Sequence, residues 1–118
     1  MIAVLEQCEI CGKIKILETA YFSSEQFTFK IRTTLLEFFT LQIRIYCDKG
    51  HYDYSYQLFS ESKGCRWDNA EHFPYLKSFP HHFHTTAGKV MDSPLKGEPI
   101  ADLRLILAEL DTLLERIR

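Results

Sequence analysis

Phe39-Thr40-Leu41-Gln42-Ile43-Arg44-Ile45-Tyr46 is the stretch on which the fold turns. Apolar side chains at 39, 41, 43 and 45 alternate with Thr40, Gln42, Arg44 and Tyr46. A period of two marks a strand with one buried and one open face. The regularity places this strand, over 37–46, inside a sheet. Just upstream, Phe27, Phe29 and Ile31 alternate in the same way with Thr28, Lys30 and Arg32. Thr33 and Thr34 separate the two runs, which predicts a tight connection and antiparallel pairing. Downstream, Cys47-Asp48-Lys49-Gly50 is turn chemistry, because Asp tolerates tight turns and Gly supplies a positive φ. From His51 to Phe59, Tyr52, Tyr54, Tyr56 and Leu58 fall on one face and Asp53, Ser55 and Gln57 on the other. Ser60 to Gly64 reads as a second hairpin loop, and Cys65-Arg66-Trp67-Asp68 as a short strand. The centre of the chain is therefore expected to be an antiparallel meander of about four strands.

The flanks are read against that meander. Ile2-Ala3-Val4-Leu5 is a short apolar run, and Ile14-Lys15-Ile16-Leu17 alternates weakly, a candidate first strand. After Asp68, Pro74 and Pro80 each remove a backbone donor, so 69–80 should be a loop crossing the sheet. His82 and His84 can start another short strand that turns at Ala87-Gly88, and Pro94, Gly97 and Pro99 punctuate a linker. Pro99 suits the first turn of a helix. From Ile100, Leu103, Leu107, Leu110, Leu114 and Ile117 recur at three and four, widened by Ile106 and Leu113. Asp102 near its start and Arg116 and Arg118 near its end match the helix dipole. At about 1.5 Å per residue the helix would be roughly 28 Å long, enough to lie across four strands. The expected fold class is α+β, an antiparallel sheet of about four to six strands with a long C-terminal helix packed on one face. One domain is expected over 1–118, made of a variable N-terminal segment (1–20), the meander (27–68), a His-rich loop and linker (69–99) and the helix (100–117).

A chain of 118 residues, 46% hydrophobic and 25% charged, is an ordinary globular composition with material for a single core. Its formal charge of −2 excludes a polycation that holds nucleic acid by net charge alone, though not a local basic patch. Apolar runs fall short of the roughly 18–20 residues of a membrane span, and the N-terminus lacks the parts of a signal peptide. The expected location is cytoplasmic, with no membrane partner. Cys8-Glu9-Ile10-Cys11 has the spacing of a zinc knuckle or redox pair, and Cys47 with His51 is the set that would complete it. A second C-x-x-C is missing, so the cysteines are read as reduced thiols without metal.

Chemistry concentrates further on. Arg66-Trp67-Asp68-Asn69-Ala70-Glu71-His72 is followed by Phe79-Pro80-His81-His82-Phe83-His84, and four of the five histidines lie between 72 and 84. Residues two apart in an extended stretch share a face. His82 and His84 then project together, with His81 and Phe83 opposite, while Arg66 and Asp68 share a face and Trp67 points into the core. Such a face supplies what phosphodiester cleavage needs. Two imidazoles exchange protons near neutral pH, a guanidinium stabilises the phosphorane, and a carboxylate fixes a histidine tautomer. The candidate catalytic residues are Arg66, Asp68, His72, His81, His82 and His84, with Asn69 as a binding residue. Lys30, Arg32 and Arg44 are candidate binding residues on the polar face of two adjacent strands, forming a basic strip if Lys13 or Lys15 joins them. Three other uses stay open. Asp68, Asn69 and His81 can serve turns and packing; His82-x-His84 with His72 or Asp68 can hold zinc or a similar ion; and the basic residues can be a solvated outer face.

Arg66-Trp67-Asp68-Asn69-Ala70-x-His72 with Phe79-Pro80-His81-His82-x-His84 resembles the TumE family of prokaryotic toxins. Tyr54-Ser55-Tyr56 is similar to the strand leading into that motif, and Leu103-x-x-Ile106-Leu107-x-Glu109-Leu110 to the family's closing helix. The resemblance runs from about Phe27 to the C-terminus and leaves Cys8 and Cys11 outside. It implies a toxin encoded beside an antitoxin with a helix-turn-helix DNA-binding domain; it does not supply the chemistry. The leading expectation is a metal-independent ribonuclease that uses histidine acid/base catalysis and no cofactor, with RNA as candidate substrate and a homodimer as candidate assembly. The alternatives are a non-enzymatic module whose His/Arg face docks the antitoxin or another protein, and a zinc-dependent hydrolase or transferase.

Overall fold

The faces implied by the alternation become strand pairings in the computed structural model, which describes residues 1–61 and 63–117, the side chains of 111 and 113–117 excepted. A short helix α1 (Ile2–Glu6) precedes β1 (Cys11–Ser23), β2 (Gln26–Leu35), β3 (Phe39–Asp48), β4 (His51–Phe59) and β5 (Gly64–Asp68). After the 69–81 loop come β6 (His82–His84), β7 (Val90–Asp92) and helix α2 (Pro99–Ile117). All seven strands form one antiparallel sheet in the order of the sequence. Each connection is a hairpin except 69–81, which leaves the sheet and returns beside its start.

Residues directly opposite in such a ladder share a face. One row reads Lys30, Arg44, Ser55, Asp68 and His82 across β2 to β6. A second row of the same face reads Lys15, Arg32, Gln42, Gln57, Arg66 and His84 across β1 to β6. The opposite face carries Ile31, Ile43, Tyr56 and Trp67 in one row, all buried. Leu103, Ile106, Leu107 and Leu110 of α2 pack into that cluster with Leu5 of α1 and Leu95 of the linker. Fully burying a large apolar side chain stabilises by about 1.5–3 kcal/mol, so this side holds the fold and leaves the other free for chemistry.

The expected fold class needs correction. The sheet has seven strands, beyond the four to six expected, and it dominates the chain. The picture of a long helix laid over a smaller sheet is replaced by an extended meander whose one face is partly covered. The described buried positions of α2 end at Leu110, while the stripe positions Leu113, Leu114 and Ile117 lie outside the described side chains. Two strands were underestimated. β1 is the longest, at 13 residues, but it is an edge strand, mostly exposed, with register irregularities that break its alternation. β7 has only three residues, too few to show a period. The β2–β3 turn also moves. Thr33 and Thr34 belong to β2, and the chain reverses at Leu36 and Glu37, with φ of 51° and 68°. Leu and Glu seldom take the left-handed region, so the turn carries no Gly or Asn signature. Asp102 does more than face a dipole. It is 1% exposed and accepts from the backbone N–H groups of Lys96 (3.0 Å) and Gly97 (2.8 Å), tying the linker to α2.

Candidate functional site

β5 and β6 build the site because their pairing sets Arg66 opposite His84 and Asp68 opposite His82. Trp67 and Phe83, on the core face between them, meet at 4.7 Å between ring centres and anchor both strands. Asn69 lets the chain leave the sheet. Its side-chain oxygen accepts from Tyr54 N–H (3.0 Å) and its amide donates to the Tyr52 carbonyl (2.7 Å), extending the β4 ladder by one side chain. Asn69 thus brackets the strand end and also lines the cleft.

Asp68 is the hub. Its Oδ2 accepts from Arg66 Nε (2.8 Å), and its Oδ1 from the Ala70 N–H (3.1 Å) and His82 Nε2 (2.8 Å). His82 is 1% exposed, and its Nδ1 lies 3.1 Å from the Pro80 carbonyl. Both nitrogens of His82 thus face acceptor oxygens. His84 differs. Arg66 Nη2 lies 3.1 Å from His84 Nε2, and since a guanidinium only donates, that nitrogen accepts. The lone pair of His84 Nε2 faces Arg66 at the mouth of the cleft, with Asp68 Oδ2 farther off at 3.5 Å. Burial, and then the Arg66 guanidinium, hold the His84 pKa below the ordinary 6.5. Its side chain is 26% exposed and that of Arg66 44%, so both reach solvent.

Arg66, Asp68, His72, His82 and His84 line one open cleft of about 360 Å³, together with Ser55 and Phe73. His72 stands exposed on the loop. Phe73 had no signal beyond its place between His72 and Pro74, yet its ring centre is 4.7 Å from that of His82 and 5.8 Å from that of His84. It roofs His82. His81 is not brought in. It stacks on Tyr54 of the core side, its Nδ1 2.8 Å from the Tyr54 hydroxyl, and burial lowers its pKa. Lys30, Arg32 and Arg44 lie on β2 and β3, on the same face as the cleft. Asp68, His82 and His84 also place ligand atoms within 4.8 Å of one another, the one such grouping among the described residues. Cys8 and Cys11 gather no further ligands there; burial and the neighbouring Cys8 push Cys11 up to about 12, and burial pushes Cys65 up to about 11.

A seven-stranded antiparallel meander with an Arg–Asp–His cleft on its uncovered face defines a small sheet protein with a polar surface site. The family model described as Toxin TumE matches residues 1–116, and the chain belongs to that family. The match includes the N-terminal segment that the motif resemblance had left out. Membership makes the chain a toxin component and implies an antitoxin partner. No curated protein and no solved structure matches it. Among the described residues no helix is long and apolar enough to cross a membrane.

Proposed function

We propose that this toxin is a metal-independent ribonuclease and that His84 is its general base. One observation carries the reading: His84 Nε2 is an accepting nitrogen, 3.1 Å from Arg66 Nη2, in a cleft open to solvent. In the proposed reaction His84 takes the proton of an RNA 2′-hydroxyl, and the 2′-oxygen attacks the adjacent phosphorus. Arg66 stabilises the charge of the phosphorane through planar, charge-assisted hydrogen bonds. The bond to the 5′-oxygen breaks, and His72, when protonated, supplies the proton to that leaving oxygen. The products are a 2′,3′-cyclic phosphate and a 5′-hydroxyl. Asp68 and His82 are positioning residues: buried His82 holds one carboxylate oxygen of Asp68, and the other oxygen aims Arg66. His81 takes no part. The antitoxin, as the motif resemblance implies, carries a helix-turn-helix domain.

The test is incubation of purified protein with total RNA, with and without chelator, followed by analysis of the ends. Cleavage with cyclic phosphate ends, insensitive to chelator and lowered about 10²–10⁴-fold in His84→Ala, is the expected result. The Asp68, His82 and His84 grouping favours a second reading, a transition-metal hydrolase. Activity abolished by chelator and restored by zinc would replace the first reading with it. An inert protein in which His84→Ala loses only antitoxin binding would make the cleft a docking surface.

A further inference from the structure

The row Lys15, Arg32, Gln42, Gln57, Arg66, His84 crosses six strands on the uncovered face and ends in the cleft. Lys15 reaches this face because of a bulge. The β1–β2 register shifts between Ile16 and Glu18, so Leu17 is the extra residue, and Lys15 stays opposite Arg32. The row contains no carboxylate. Lys30 and Arg44 flank it in the neighbouring row, and among the described residues neither they nor Lys15 has an ion-pair partner. Arg32 lies over Phe59, its guanidinium carbon 5.6 Å from the ring centre, and Tyr46 on the same face is 41% exposed. Charge and amide hydrogen-bonding groups are thus laid out in one line that leads to the proposed base, with Phe59 in the next row and Tyr46 two rows away on the other side.

We propose that this row is the binding track for single-stranded RNA, running perpendicular to the strands, with the scissile phosphate at Arg66 and His84. The proposal rests on the ribonuclease reading of the cleft and names its substrate class. Four strand spacings of about 4.8 Å separate Lys15 from Arg66, roughly 19 Å. That span takes about four nucleotides, the lower end of the site sizes of single-strand-binding folds. A single strand fits the face better than a duplex. An unstacked base can lie on the Arg32–Phe59 pair beside the row, whereas the bases of a duplex are already stacked on one another. In-line attack by a 2′-oxygen also needs a backbone free to rotate, which A-form pairing opposes.

The experiment measures binding of a fluorescent eight-nucleotide 2′-O-methyl RNA, which lacks the attacking hydroxyl and cannot be cleaved, by anisotropy at two salt concentrations. The double variant Lys15→Ala/Arg32→Ala is expected to bind at least about tenfold more weakly, with a salt slope smaller by about 1–2. Lys49→Ala, which removes one positive charge at the β3–β4 turn away from the row, should bind as the parent does. A duplex of the same sequence should bind more weakly than the single strand. Unchanged binding by the double variant, or preference for the duplex, overturns the track. Because the probe is inert, binding that depends on Lys15 and Arg32 in a protein that cuts no RNA would sustain the track and sink the ribonuclease reading.

Discussion

His82→Ala and His84→Ala should part company in stability, although the two residues lie two apart on one face. His82 is 1% exposed and makes two hydrogen bonds, one to a carboxylate and one to the Pro80 carbonyl. A bond to a charged group contributes about 1.5–3 kcal/mol and a neutral one about 1. Removing the ring also leaves Pro80 O and one lone pair of Asp68 without their donor, and opens a hole under Phe73. Together these put the cost of His82→Ala at about 3–5 kcal/mol, the range for breaking a buried charged pair. His84 makes one hydrogen bond, at 3.1 Å to a half-exposed guanidinium, and a longer 3.5 Å contact with Asp68 Oδ2, so its truncation should cost about 1 kcal/mol or less. Urea denaturation reads both, using fluorescence of the single tryptophan, Trp67, buried on the adjacent strand. With a slope of about 1.5 kcal/mol per molar, the midpoint of His82→Ala should fall by roughly 2–3 M and that of His84→Ala by well under 1 M. A His82→Ala midpoint within about 0.3 M of the parent would show that the Asp68–His82 pair does not hold the site. His82→Gln, which retains a donor, should recover part of the loss.

Three further outcomes follow from the same geometry. Leu107→Ala should cost about 2–5 kcal/mol, since Leu107 is buried in the cluster that seats α2; a loss below about half a kilocalorie would mean the helix does not dock there. His81 and His84 have pKa values held below 6.5, so as pH falls through 6.5 the unfolded chain gains protons that the folded chain refuses, and these two residues contribute instability in that window. NMR titration of each ring should show a midpoint under 6.5, and the acid limb of any cleavage profile should coincide with that of His84; a limb that departs from the His84 midpoint contradicts its assignment as base. Arg66→Lys should keep the charge but lose both the Nε bond to Asp68 and the planar fork. Cleavage should drop about 10²-fold or more with little change in urea midpoint, and parent-like turnover would remove Arg66 from the reaction.

The sequence by itself determined which side chains share a face. Alternation in Phe39–Tyr46, in the tyrosine strand and around Trp67 is a local property, because the pleat repeats every two residues whatever lies beside it. It separated Arg66 and Asp68 from Trp67, and His82 and His84 from His81 and Phe83, and the motifs pointed to the toxin family. Depth was not legible. His72, His82 and His84 line one cleft yet range from exposed to 1% exposed, and the difference comes from the 69–81 loop folding Phe73 over His82. The length of edge strand β1 beyond the candidate run at 14–17, and three-residue β7, were not legible because neither has a covered face over enough residues to impose a period. Register across the sheet was equally out of reach. That Lys15 lines up with Arg66 and His84 depends on four hairpin registers, the β5–β6 pairing across the 69–81 loop and two register shifts in β1, which no local period reveals. Only the closed ladder decides them.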